Sequence, residues 1–338
     1  MATENIDETL VVLGTGGTIA GTAATASDNL GYTAAQLGVA ELFEAVPGLT
    51  QVLGDRGLRA EQVAQVDSKD MSFSVWQDLV QRVEYHLAQA QVKGVVITHG
   101  TDTLEETAYF LHAVLPPALL AAKPVVLTCA MRPASSAAPD GPQNLLDALV
   151  VAGTTGACGV LAVCAGTLHG AVEVQKVHPY RLDAFNSGDA GPVGYVEEGR
   201  VRLVRGWPAT SDYSAPGIFE KLGNASRWPR VEIVMNYAGS DGVMVDALLA
   251  LAKQRVFGTG QQLARPLQGL VVAATGNGTV HQDLEAALLR AQAVGVKVVL
   301  ATRCCSGRVL ARTDAAFPDS RGLSPVKARI ALMLALLG

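Results

Sequence analysis

The sequence predicts an α/β protein of two α/β domains, the larger N-terminal one built on a doubly wound, mostly parallel sheet. Three observations predict it. Apolar runs of strand length alternate with helical stretches along most of the chain. At 338 residues the chain exceeds the size at which one hydrophobic core usually keeps growing. The alternation is interrupted where prolines at 208, 216 and 229 stand among polar residues, and it restarts beyond them. The expected organisation is a domain over 1–206, a linker over 207–230 and a smaller α/β domain over 231–338.

Taken in order, Thr9–Leu13 reads as a buried strand running into Gly14-Thr15-Gly16-Gly17-Thr18-Ile19-Ala20-Gly21. Residues 21–31 are small and polar, the composition of a mobile surface loop. Ala34–Val46 suits a helix ended by Pro47-Gly48, and Glu61–Asp67 a strand followed by the turn Ser68-Lys69-Asp70-Met71-Ser72. In Ser74–Ala90, Trp76, Leu79, Val83 and Leu87 recur at three- and four-residue spacing, which gives a helix one apolar face. Strand Val92–Thr98 leads into His99-Gly100-Thr101-Asp102-Thr103 and a helix over Asp102–Leu115, which Pro116-Pro117 stops. Strand Pro124–Cys129, a Pro/Ser/Ala-rich loop over 131–142, helix Gln143–Ala152 and strand Gly159–Ala165 follow. Gly166–Leu203 holds only short β-like pieces, with Lys176 inside an expected strand over Ala171–Val177. Beyond the linker come, strand and helix by turns, Val231–Met235, Gly242–Lys253, Gly269–Thr275, Gln282–Val294, Val296–Thr302 and Pro325–Leu337.

Composition narrows the function. The net charge is −5, only 17% of residues are charged, and no Lys/Arg-rich run exists to neutralise phosphates, so a nucleic-acid partner is not expected. No apolar run is long enough for a membrane span. The acidic start Met1–Glu8 lacks the basic and apolar regions of a secretory signal, so a cytoplasmic protein is expected. Five cysteines without CxxC spacing suggest neither a disulfide framework nor a zinc site. Cys129 and Cys164, in strand-like runs, read as small core residues.

The glycine-rich loop is not a nucleotide cradle. A dinucleotide fingerprint begun at Gly14 meets Ile19 where its last glycine belongs, and a phosphate loop begun at Gly16 meets Thr22 where its lysine belongs. Two threonines just past strand ends, freed by glycines, instead suggest hydroxyls presented at a crevice. An alcohol needs a base or a strong acceptor within reach to act as a nucleophile. Asp102 stands beside Thr101, and Lys176 reads either as an edge-strand lysine reaching solvent or as a partly desolvated amine. Ser68 taken alone is a turn residue or helix cap, and Asn277 in Gly276-Asn277-Gly278 a turn signal.

The two threonine motifs, with Ser68-Lys69-Asp70-Met71, Ala130-Met131-Arg132-Pro133 and Asp140-Gly141-Pro142, resemble the bacterial-type L-asparaginase family, nearest its type II branch. The likeness runs through essentially the whole chain in the same order. It implies hydrolysis of L-asparagine to L-aspartate and ammonia, with some L-glutamine hydrolysis, and no cofactor or metal. By the resemblance, Thr15 is the nucleophile, Tyr32 helps to activate it from a closing lid, and Thr101, Asp102 and Lys176 form a second constellation. Ser68 matches the group that holds the substrate α-carboxylate, Asp102 the partner of its α-ammonium, and Gly14 belongs to the substrate-binding positions. Asn277 matches an asparagine given by a neighbouring subunit of a homotetramer. Two departures stand out: Lys69 occupies a position where type II relatives carry Gln or Glu, and only Asp314 offers itself for the cross-subunit acid. The alternatives are a glutaminase-asparaginase with substantial L-glutamine activity, an ammonia-supplying amidotransferase subunit, and a non-catalytic amino-acid sensor. The eight residues before the first strand argue against the subunit, which carries an added N-terminal domain.

Overall fold

The computed structural model describes residues 8–44, 46–208, 217–225, 227–251, 265–310, 313 and 315–337. The chain divides into two compact units, Met1–Ser214 and Ala215–Gly338. The first begins with β1 (Thr9–Gly16), two short helices, α1 (Val39–Glu44) and α2 (Leu49–Leu53), and β2 (Gly57–Val66). There follow α3 (Phe73–Leu87), β3 (Val92–Thr98), α4 (Leu104–Val114), α5 (Pro117–Ala122), β4 (Pro124–Thr128), α6 (Gly141–Ala152) and β5 (Gly159–Cys164). Short strands complete it: β6 (Thr167–Gly170), β7 (Gln175–Lys176), β8 (Phe185–Asn186), β9 (Gly194–Glu197) and β10 (Arg200–Leu203).

Eight of these strands form one sheet in the order β10-β9-β6-β5-β4-β3-β1-β2. The five from β2 to β5 are mutually parallel, and β6, β9 and β10 continue antiparallel. Parallel strands covered on both faces read as continuous apolar runs, which is why β1, β3, β4 and β5 are plain in the sequence. Leu10, Val12, Val96, Val126 and Leu161 pack with Leu42 of α1 and Leu145 and Leu149 of α6. Val11, Leu13, Val95 and Ile97, at alternate positions, are buried toward the opposite face. The order β2-β1-β3 places a topological switch between β1 and β3, where the crevice of an open α/β sheet lies at the strand carboxyl ends.

Four expectations change in detail. The helix expected over Ala34–Val46 is confined to α1, because Ala35 adopts φ +56° and residues 35–37 donate their N–H groups to Gly17 and Ala20 carbonyls. Pro116-Pro117 ends α4 as expected, but Pro117 also opens α5, since a proline in the first turn lacks only an N–H the helix would leave unpaired. The strand over Ala171–Val177 shrinks to β7: the chain turns at once after β6, with Glu173 and Val174 both bonded to the Gly170 carbonyl. Within 207–230, Ile218–Asn224 forms the helix α7.

The second unit carries β11 (Arg230–Met235), α8 (Val243–Leu251), β12 (Leu267–Ala274), α9 (Gln282–Ala293), β13 (Lys297–Thr302) and α10 (Pro325–Leu336). Its three strands pair in parallel in sequence order. Val234, Leu270, Val272, Leu284, Leu288, Val298 and Phe317 form its core. Among the described residues no helix is long and apolar enough to cross a membrane.

Candidate active site

Thr15 is buried near the end of β1, and its hydroxyl donates to the Thr98 carbonyl, the last of β3, at 2.9 Å. Gly14 lies one residue earlier, with β2 and β3 on either side, and a Cβ there would come within 2.8 Å of Val39 Cβ and Gln62 Nε2. Gly17 has φ +83° and ψ −171°, a region essentially reserved for glycine. A Cβ on Gly17 would lie 2.8 Å from the His99 carbonyl carbon and closer still to Gly100 N and Cα. A Cβ on Gly100 would lie 2.7 Å from Ser68 Cβ and 3.2 Å from Gly17 Cα. The loops after β1 and β3 therefore meet backbone to backbone, Ser68 of the loop after β2 closes on Gly100 with its side chain, and the two threonine motifs, far apart in sequence, become neighbours.

Ser68 is buried in this junction. Its hydroxyl accepts the Asp102 N–H at 3.2 Å, and its carbonyl accepts the Thr103 hydroxyl at 2.8 Å. From β7, the Lys176 ammonium donates to Thr101 Oγ1 at 2.8 Å and to Asp102 Oδ1 at 2.7 Å. The Lys176 side chain is only 16% exposed, whereas that of Asp102 is 55% exposed. Lys176 does not carry its head group out to solvent: the ammonium is held between Thr101 and Asp102. Asp102 Oδ2 has no hydrogen-bond partner among the described residues and opens to solvent.

Tyr32 stands at the end of the loop after Gly21, and its hydroxyl is 2.7 Å from Thr18 Oγ1 rather than on Thr15. The loop is closed on itself by paired N–H···O bonds between Thr22 and Thr33. It is also tied to 134–137: Ala134 N–H to the Gly21 carbonyl, Ala23 N–H to Ser135 Oγ, and Ala137 N–H to the Ala26 carbonyl. Lys69 is 61% exposed and directs its ammonium at Asp70, with Asp67 at 3.8 Å. The Asp70 carboxylate raises the Lys69 pKa. Asn277 belongs to the second unit, at the tip of a loop closed by Thr275 and Thr279, where its Oδ1 accepts the Leu310 N–H at 2.7 Å. Asp314 lies outside the described residues.

Two groups around the site had no role assigned from sequence. Asp140 accepts the Met131 and Arg132 N–H groups, each at 2.9 Å, while Asn144 donates to the Cys129 carbonyl and accepts the Ala165 N–H. They shape the ends of β4 and β5, and Asp140 was visible only as part of a motif. The second is His99, fully buried, with Nδ1 2.7 Å from the Gly100 carbonyl and Nε2 2.9 Å from Thr107 Oγ1. Thr107 in turn accepts the indole N–H of Trp76 at 2.9 Å. Burial pushes the His99 pKa down to about 4, against a smaller opposing effect of the Gly100 carbonyl.

Compared with known proteins, residues 9–208 match the family profile described as Asparaginase, N-terminal, and residues 230–337 that described as Glutaminase/Asparaginase C-terminal domain. The chain belongs to the asparaginase family. L-asparaginase 2 of Escherichia coli K12 is 34% identical over 334 residues, covering 97% of this chain and 88% of that protein. A glutaminase-asparaginase of Pseudomonas fluorescens biotype A is 34% identical over 336 residues, covering 97% and 86%. Among solved structures, a probable cytoplasmic L-asparaginase from Campylobacter jejuni aligns with a TM-score of 0.83 at 33% identity, covering 98% of this chain and 95% of that one. The gap between the two family profiles contains the boundary between the two compact units.

Proposed function

We propose that the protein hydrolyses L-asparagine to L-aspartate and ammonia through a threonine nucleophile and an acyl-enzyme, with L-glutamine a secondary substrate. The observation that carries this reading is the Thr101–Lys176–Asp102 cluster held against the Thr15 loop by the Gly17–Gly100 approach. The names of the asparaginase relatives support the substrate, and that of the glutaminase-asparaginase supports the second activity.

In this reading Thr15 Oγ1 adds to the side-chain amide carbon, giving up its proton by way of Tyr32 as the C–N bond breaks and ammonia leaves. Water then adds to the ester, with Thr101 and Lys176 moving its proton, and aspartate is released. Asp102 Oδ2 takes the substrate α-ammonium while Oδ1 keeps Lys176, and Ser68 offers its hydroxyl to the α-carboxylate. Gly14 lines the site beside Thr15. Tyr32 must exchange Thr18 for Thr15 when substrate binds. Lys69, turned to Asp70, leaves the ammonium site to Asp102. The same reading includes a cytoplasmic homotetramer to which Asn277 contributes across subunits, and the domain limits 1–206 and 231–338.

Ammonia release from L-asparagine and L-glutamine tests the proposal. Thr101→Val and Lys176→Met are expected to lower turnover by at least about 100-fold with the fold retained. Turnover within twofold of the parent in either variant overturns the assigned roles.

A further inference from the structure

His99 is a buried imidazole that the reaction above does not use, and its hydrogen bonds determine where its proton lies. The Gly100 carbonyl can only accept, so Nδ1 carries the hydrogen. The Trp76 indole can only donate, so Thr107 Oγ1 accepts from it and turns its own hydrogen to His99 Nε2. Every polar group of this chain is satisfied by a neutral histidine, running from Trp76 on α3 through Thr107 on α4 to the peptide before Thr101. That peptide is trans, like all those described, so its carbonyl and N–H point in opposite directions. With the Gly100 carbonyl held inward on His99, the Thr101 N–H is turned away from the core. Among the described residues it has no hydrogen-bond acceptor.

We propose that His99 is a positioning residue, which locks the Gly100–Thr101 peptide so that the Thr101 N–H is aimed at the oxygen of the substrate's side-chain carbonyl as negative charge develops there. The inference rests on the amide-hydrolase reading. A donor prealigned in this way strengthens its bond as the tetrahedral intermediate forms and pays no reorganisation cost at that moment. Loss of the lock therefore acts on turnover more than on ground-state binding. Lys176 holds the Thr101 hydroxyl and Ser68 the Asp102 N–H, and His99 is the residue that holds the Gly100 carbonyl.

Steady-state kinetics on L-asparagine for the parent, His99→Leu, His99→Asn and Thr107→Val form the test. His99→Leu removes the donor to Gly100 and is expected to lower kcat by about 10- to 100-fold, with KM within about threefold. His99→Asn places an amide N–H near the Nδ1 position and is expected to recover most of the loss. Thr107→Val should fall between them. A folded His99→Leu with kcat within twofold of the parent overturns the proposal, as does a loss confined to KM or an Asn variant no better than Leu. Should His99→Leu not fold, His99→Gln replaces it, because its amide stands one bond too far out to serve Gly100; equal kcat for Gln and Asn is then the overturning result. A parent that releases no ammonia would sink the hydrolase reading instead. The Thr101 amide proton shift, measured by NMR, still decides the positioning role: displaced in His99→Leu and restored in His99→Asn supports it, unchanged in both overturns it.

Discussion

Replacing Gly17 by alanine puts a methyl group where the loops after β1 and β3 touch. The new Cβ would stand 2.8 Å from the His99 carbonyl carbon, with Gly100 N and Cα nearer still. An ordinary carbon–carbon contact is about 3.5 Å, so the two backbones must part by at least about 0.7 Å. Neither side can yield by a rotamer change, because every nearby atom is backbone. The residue must also hold φ +83° and ψ −171°, at a cost of about 1–3 kcal/mol for a residue with a Cβ. Overpacking adds a further ~1–3 kcal/mol, so the total loss of stability is about 2–6 kcal/mol. Thr15 and Thr101 would be displaced from each other by a similar fraction of an ångström or more, and a misplacement near 1 Å costs about 100-fold in rate. Denaturant unfolding and ammonia release, measured on the same preparation, are the assays. A Gly17→Ala variant with unchanged stability and turnover within threefold would refute the claim that this contact holds the two halves of the site together.

Three further outcomes are expected. His99 has a pKa of about 4 in the fold and about 6.5 in the unfolded chain, so the unfolded state binds more protons between those values. Stability is full above pH 6.5 and falls by about 3 kcal/mol as pH drops to 4; unfolding curves of the parent should show this slope and those of His99→Asn should lack it. Lys69→Gln loses only an exposed pairing with Asp70 and Asp67, so Tm should move by less than about 2 °C and KM for L-asparagine by less than about threefold. A tenfold fall in KM would show instead that the ammonium faces the substrate. Ser135→Ala removes the acceptor of the Ala23 N–H, worth about 1 kcal/mol, and should speed amide exchange in residues 21–26 about fivefold; unchanged exchange would show that the loop is held elsewhere.

The parts of this molecule legible in sequence are those that depend on local pattern. The buried parallel strands announce themselves as apolar runs, and α3 shows its face through Trp76, Leu79, Val83 and Leu87, all buried as spaced. Thr15 and Thr101 stand out because glycines frame them after such strands. What stayed hidden depends on contacts between distant segments. Trp76 reads as core, and nothing local reveals that its indole N–H serves Thr107, 31 residues away. His99 was seen in its motif, yet its role follows from which carbonyl its ring meets. The spacing of Ala34–Val46 favours a helix, but the glycine loop takes the N–H groups of residues 35–37, and a tertiary bond overrides propensity. Ala171, Val172, Val174 and Val177 suggest a longer strand around Lys176, whereas the turn of Glu173 and Val174 onto Gly170 is what brings the ammonium to Thr101.

The central claim is that Thr15 carries the acyl group. Acid-quenching the Lys176→Met variant during turnover of L-asparagine, then mapping peptides by mass spectrometry, tests it directly. The account predicts an aspartyl adduct on the peptide that contains Thr15, absent when Thr15→Ala is added. An adduct on the Thr101 peptide, or one that persists without the Thr15 hydroxyl, would contradict it.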